Sequence, residues 1–202
     1  MKAFYERLFW KIYDTPGRIY AKLNSLRIRQ YCICAPTVYL SATAKIVNSK
    51  EAHAISIGKG SNIHGMLQVF PHGGVIKMGE DCFVGPNTNI WSGRSITIGD
   101  RVLISHSVNI FDTNSHSLSA NYRSHHFSET LKSGQPATVI DVDDSPVIIG
   151  DDVWVGFGSA IMKGVTLGTG CVIAACSVVT KNVDDYMIVA GNPAKIVGKA
   201  RP

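Results

Sequence analysis

The chain has 202 residues, 45% of them hydrophobic and 17% charged, with 19 Gly, 8 Pro and a formal net charge of +5. High aliphatic content at low net charge excludes a largely disordered chain and points to one globular domain with an appendage. The longest uncharged early stretch, Tyr31 to Ala44, contains Pro36 and falls short of the roughly 20 apolar residues of a spanning helix.

Charge is concentrated at the start. Residues 1–30 carry Lys2, Arg7, Lys11, Arg18, Lys22, Arg27 and Arg29 against Glu6 and Asp14, a balance of +5 that equals the charge of the whole chain. Phe4, Leu8, Phe9, Ile12 and Tyr13 recur there at helical spacing, with Arg7 and Lys11 between them. This predicts a basic, partly helical arm over residues 1–45. Such a helix packs its apolar side on the rest of the fold or on a neighbouring subunit, or lies on an anionic membrane surface through residues 1–30. No nucleic-acid-binding module follows it, so no nucleic-acid partner is expected. Glu6, Arg7 and Lys11 also break up the N-terminal apolar segment as a secretory signal, which gives a cytoplasmic expectation, peripheral to the inner face of the membrane if the arm binds there. Five cysteines without an export signal read as reduced thiols, and Cys32-x-Cys34 has no second pair at zinc spacing, so no metal is expected.

From residue 57 a six-residue grammar sets in. Ile57-Gly58 leads to Ile63; Met78-Gly79 to Val84-Gly85 and Ile90; Ile98-Gly99 to Ile104 and Ile110. After a long break it runs without a miss through Ile149, Val155, Ile161, Leu167, Ile173 and Val179, with a small or β-branched residue four places after each: Val153, Ser159, Val165, Cys171, Ser177 and Val183. A period of six fits a short strand followed by a tight bend, three of which close one triangular coil of about 18 residues. The recognisable hexads supply about five coils stacked at the strand spacing of about 4.8 Å. The domain plan is therefore an arm (1–45), a coil domain (46–190) and a C-terminal tail (191–202). A filled prism has little room for a cavity, so a small-molecule site belongs on its outer walls, at interruptions or between copies.

Two interruptions are visible, a brief one at 67–75 and a long, polar, His-rich one at 111–146. Loops of that length inside compact domains are usually functional. Counting on from Ile98, Ile104 and Ile110, the next interior slot falls on His116, where the chain leaves the coil. A ring at that edge, its backbone held by the wall, would be both supported and accessible, as a general base should be.

The runs Asn109-Ile-Phe-Asp-Thr-Asn-Ser-His116-Ser, Ile149-Gly-Asp-Asp-Val-Trp154-Val-Gly, Ser177-Val-Val-Thr180-Lys181 and Ala190-Gly-Asn-Pro-Ala-Lys195 resemble the hexapeptide-repeat O-acetyltransferases. The likeness is to the maltose and galactoside branch and to enzymes that decorate bacterial surface polysaccharides. It covers about residues 50–200. It implies an all-β, left-handed parallel β-helix, a homotrimer, and an acetyl-CoA site in each groove between neighbours. It further implies His116 as catalytic base, Asn89 on the acceptor side, and Trp154, Gly156, Phe157, Ala175, Thr180, Lys181 and Lys195 along the coenzyme. Small residues such as Gly156 and Ala175 would let an extended amide chain lie against the coil, and Lys181 and Lys195 would meet phosphates. The turn Ser92-Gly93-Arg94 lacks the acidic residue of the galactoside branch, and Phe157 stands where a small or polar residue is frequent, which leaves the acceptor open.

The expected reaction is direct acetyl transfer to a sugar hydroxyl in surface polysaccharide or lipopolysaccharide biosynthesis, with His116 taking the hydroxyl proton and no acyl-enzyme. N-acetylation of an aminosugar or a small antibiotic is the alternative. A carbonic anhydrase on this architecture would need a histidine five after His106, where Phe111 stands. A scaffold without chemistry would have no use for His116, Trp154 and Thr180-Lys181.

Overall fold

The structure is a computed structural model that describes residues 17, 19–20, 22–134, 138 and 141–202. The apolar residues predicted to form the arm's helix, Phe4 to Tyr13, lie outside the described residues.

Short strands stack into three parallel sheets, the walls of a triangular prism. The first wall runs from Ile33–Cys34 through Ile55–Ile57, Ile76–Met78, Ile96–Ile98 and Val147–Ile149 to Thr166–Leu167. The second begins at Tyr39–Leu40 and the third at Lys45–Asn48, and each again takes one parallel strand from every one of six coils. The hexad rule explains the register. Leu40, Ile63, Val84, Ile104, Val155 and Ile173 pair in one column, and Ile46, Leu67, Ile90, Ile110, Ile161 and Val179 in another. All point inward and are buried. Burying each such side chain is worth about 1.5–3 kcal/mol, which holds the stack together without long strands.

The small residues four places on occupy the corners, where the wall folds inward. Ser and Thr there satisfy corner carbonyls of the next coil: Thr88 Oγ1 donates to Ser105 O at 2.7 Å and Ser159 Oγ to Ala174 O at 2.9 Å. Cys82 and Cys171 are buried corner residues of the same kind, and all five cysteines are free thiols.

There are six coils where the hexads suggested five. The extra one is the first, at residues 33–48, most of it in the segment read as arm. Cys34, Leu40 and Ile46 keep the six-step spacing, but no glycine follows them and Cys34 is only half-buried, so the signal is weak. Helical residues 22–29 close this open end. Ile28 is buried, and Asn24 Nδ2 donates to the carbonyls of Ser41, Ala42 and Ala44 at 3.1–3.4 Å. Arg29 reaches Cys34 Sγ and the carbonyls of Ala35 and Val38. Ile19, Tyr20, Leu23 and Leu26 remain exposed on the same segment. Among the described residues no helix is long and apolar enough to cross a membrane.

The far end carries a hairpin in place of a plain tail. Met187–Gly191 continues the second wall in parallel, and Ala194–Lys199 returns antiparallel beside it. The long interruption holds a helix, Ala120–Ser133, that stops at Gly134, whose φ of +80° is one a side chain rarely adopts.

Candidate active site

The insert leaves the third wall after Asn109–Phe111 and rejoins the first wall at Val147–Ile149. Ile149 pairs with Ile98, so Ile149 and not residue 116 fills the interior slot that follows Ile110. The wall does not hold the backbone of His116, because the chain has already left the coil at Asp112. His116 sits four residues out, exposed, on the loop leading to the insert helix.

The loop is nevertheless tied down at its root. Asp112 is fully buried; its Oδ1 accepts from Gly93 N at 2.7 Å, and its Oδ2 from Ser92 Oγ at 2.6 Å and Arg94 N at 3.1 Å. Its main-chain oxygen accepts from Ser145 N at 2.8 Å, so one residue fixes both ends of the insert to the turn of the coil below. Burial pushes the Asp112 carboxyl above its ordinary range, against the three hydrogen bonds that pull it down. Further out, Thr113 bridges Asp144, and Ser117 Oγ donates to Asp141 Oδ2 at 2.5 Å. His116 is thereby carried on a pinned loop.

Three groups that sequence reading left without a role gather here. The His126 ring lies 5.5 Å from that of His116, tilted by 54°, and its Nδ1 is buried without a partner. Burial, then the neighbouring His116 and His72, depress the His126 imidazole and so disfavour its charged form. His72 stacks on Phe70 at 5.4 Å and faces Asp144 Oδ2 at 3.7 Å. Only the clustering of histidines in the insert hinted at this. Beside His116 is an open pocket of about 450 Å³ lined by Ala120, Arg123, Ser124 and Phe127.

Asn89 lies on the outer face of the third wall, where its Nδ2 donates to Asn109 Oδ1 of the next coil at 3.0 Å. The candidate coenzyme residues fall at two separate edges of that wall. Trp154 is half-exposed on the second wall between Leu103 and Val172. Gly156, Phe157 and Ala175 form the corner between the second and third walls. Phe157 stacks on His106 with centroids 5.2 Å apart and rings parallel within 1°. A Cβ on Gly156 would stand 2.6 Å from Ala175 N, so the coils there are as close as backbones can be. Thr180 and Lys181 lie at the opposite edge, between the third wall and the first, and Lys195 is on the terminal hairpin beyond the second wall. His116 leaves from the Thr180 edge. Within one protomer the Trp154–Phe157–Ala175 corner is thus a wall's width from His116.

These residues fit an extended thioester coenzyme. Phe157 and Ala175 offer an exposed apolar corner over tight backbone. Lys181 and Lys195 are exposed cations that make no ion pair among the described residues. No group of three His, Cys, Asp or Glu among the described residues could hold a metal ion.

Known proteins share both the repeat and the architecture. Residues 146–181 match the bacterial transferase hexapeptide (six repeats), and residues 75–106 the hexapeptide repeat of succinyl-transferase. The chain is 32% identical over 128 residues to the galactoside O-acetyltransferase of Escherichia coli, covering 63% of this chain and 56% of that protein. It is 33% identical over 127 residues to an Escherichia coli protein named for lipopolysaccharide biosynthesis O-acetyl transfer, covering 62% and 61%. The chain therefore spans little more than half the length of these curated relatives. In three dimensions it is similar to a mutant of an N-acyltransferase from Bacillus cereus, solved with dTDP and coenzyme A. That likeness has a TM-score of 0.68 at 22% identity and covers 90% of each chain. It shows the shared fold, a left-handed parallel β-helix. The chain thus carries the hexapeptide repeat of bacterial transferases over residues 75–106 and 146–181 and shares its fold with a solved acyltransferase.

Proposed function

We propose that this protein is an acetyl-CoA-dependent O-acetyltransferase that esterifies a sugar hydroxyl during assembly of a surface polysaccharide or lipopolysaccharide, working in the cytoplasm as a homotrimer. The observation that carries this reading is His116: an accessible imidazole on a loop anchored by Asp112, next to an open pocket, with the His126 ring 5.5 Å away.

Bound acetyl-CoA supplies the acetyl group as an activated thioester. The protein's part is to align the acceptor and move one proton. An imidazole nitrogen of His116 takes the proton of the sugar hydroxyl as its oxygen becomes nucleophilic, and later passes it to the departing thiol. Asn89, held by Asn109, presents its remaining amide valences to the acceptor. Trp154, Phe157 and Ala175 support the coenzyme arm, and Lys181 and Lys195 meet its phosphates. In a three-fold arrangement the Phe157 corner of one protomer would meet the His116 edge of the next, closing the gap that a single prism leaves.

N-acylation of an aminosugar is favoured by the likeness to the N-acyltransferase, which extends to fold, and a small antibiotic as acceptor by a 52% identity to a chloramphenicol acetyltransferase that spans 52 residues, 26% of this chain; the longer matches at 32% and 33% identity carry O-acetyl names. The test is thiol release from acetyl-CoA with a panel of saccharides, followed by mild alkali. An ester product is cleaved and an amide survives. General-base catalysis is typically worth 10²- to 10⁴-fold, so His116→Ala should lose turnover by about that factor while acetyl-CoA binding is kept. An alkali-stable product, or a His116→Ala variant at full turnover, overturns the reading.

A further inference from the structure

The insert contains five carboxylates, one lysine and one arginine. Every carboxylate is engaged elsewhere: Asp112 with the turn at 92–94, Glu129 with Lys132, Asp141 with Ser117, Asp143 with Lys163 and Asp144 with His72. Arg123 is the cation left over. It pairs with no carboxylate among the described residues, yet its side chain is fixed, Nη1 donating to Ser117 O at 2.9 Å and Leu118 O at 3.3 Å. Those carbonyls belong to the two residues that follow His116, so the guanidinium is held against the loop that carries the base. Its Nε and Nη2 make no hydrogen bond to the described residues and remain as donors at the pocket that His116 and Phe127 also line. Phe127 lies one turn on and is 56% exposed, an apolar face on which a sugar ring can rest.

We propose that this pocket is the acceptor's subsite and that Arg123 makes it selective for an anionic saccharide, one bearing a carboxylate or a phosphate close to the hydroxyl that is acetylated. This rests on the reading of His116 as the base. A guanidinium with two free parallel donors is the group that recognises a planar carboxylate or a phosphate in a fixed orientation. Because Arg123 is already immobilised by the loop, little side-chain entropy is lost when the anion arrives.

The test is ligand-observed saturation-transfer NMR on the full chain with three probes: methyl glucuronide for carboxylate, glucose 1-phosphate for phosphate and methyl glucoside as the neutral control. The acidic probes should saturate and the neutral one weakly or not at all. Losing a charge-assisted pair should weaken the acids about tenfold in Arg123→Gln, with Arg123→Lys between, while the neutral probe is unmoved. Which acid loses more identifies the anion. If the acids bind no better than methyl glucoside, or if Arg123→Gln leaves their binding unaltered, the proposal is wrong. The second outcome assigns Arg123 to holding the loop and any anion binding to the basic arm. Thiol release from acetyl-CoA, measured separately, reads the function itself. Anion binding through Arg123 without thiol release with any saccharide would sink the acetyltransferase reading and leave the subsite standing.

Discussion

Replacing Asp112 tests how the coil supports the site. In Asp112→Ala the buried Gly93 N–H loses its acceptor, Arg94 N and Ser92 Oγ lose a charged one, and a void opens at the root of the insert. Ser92 keeps its bond to Val75 O at 3.2 Å, so the unrelieved cost falls mainly on Gly93. An orphaned buried amide costs about 1–3 kcal/mol, and losing its charged partner brings the total to about 2–4 kcal/mol. Asp112→Asn is the stricter variant: it keeps the volume but turns an NH₂ toward at least one of the three donors. Urea unfolding should show the loss, and hydrogen exchange at residues 93 and 94 should quicken in both variants. Misplacing a catalytic group by about 1 Å can cost about 10²-fold, so turnover should fall further than stability predicts at temperatures where the coil stays folded. Variants with unchanged unfolding midpoints, unchanged exchange at Gly93 and full turnover would refute the anchoring role.

The same carboxylate should titrate above the ordinary range by carboxyl-carbon NMR, since burial outweighs its hydrogen bonds. With a raised folded-state value, its contribution to stability is complete below the unfolded-state value and is lost as pH rises through the folded one; Asp112→Asn should abolish that part of the pH dependence, and an ordinary or depressed titration contradicts it. In native protein a maleimide should label exposed Cys176 first, while Cys171 and Cys32, both pushed up to about 12 chiefly by burial, should react only on unfolding. Rapid native labelling of Cys171 would mean the corner is open. Gly156→Ala places a methyl 2.6 Å from Ala175 N and 2.7 Å from Ile173 O, both backbone, so the corner must spread. It should lower stability by about 1–3 kcal/mol and weaken acetyl-CoA binding at the Phe157 face, and unaltered binding would place the coenzyme elsewhere.

The fold was legible wherever each hexad carried an interior aliphatic and a small corner residue, as in the unbroken run from Ile149 to Val179. Cys34, Leu40 and Ile46 obey the same spacing without the glycine punctuation, and so the first coil reads as arm. His116 stood out because counting in sixes reaches it, although the slot so counted belongs to Ile149: the period sets where a wall strand must sit and is silent about a chain that has stepped outside. Asp112 carried no signal either, since its importance lies in donors from residues 92–94 that sequence leaves twenty places away. His72 and Asp144 meet for the same reason, through the coil repeat and the return of the insert, which no local pattern encodes.

The central claim is that one protomer brings the base and its neighbour the coenzyme corner. Subunit mixing tests it directly: His116→Ala protomers and protomers blocked by Ala175→Trp, each inactive alone, are unfolded together, refolded and assayed for thiol release. Recovery of turnover in the mixture is predicted, because some grooves then pair an intact His116 with an intact Ala175 corner. A mixture as inactive as its parents, in assemblies verified to contain both chains, would mean that each protomer works with its own residues and would contradict the shared groove.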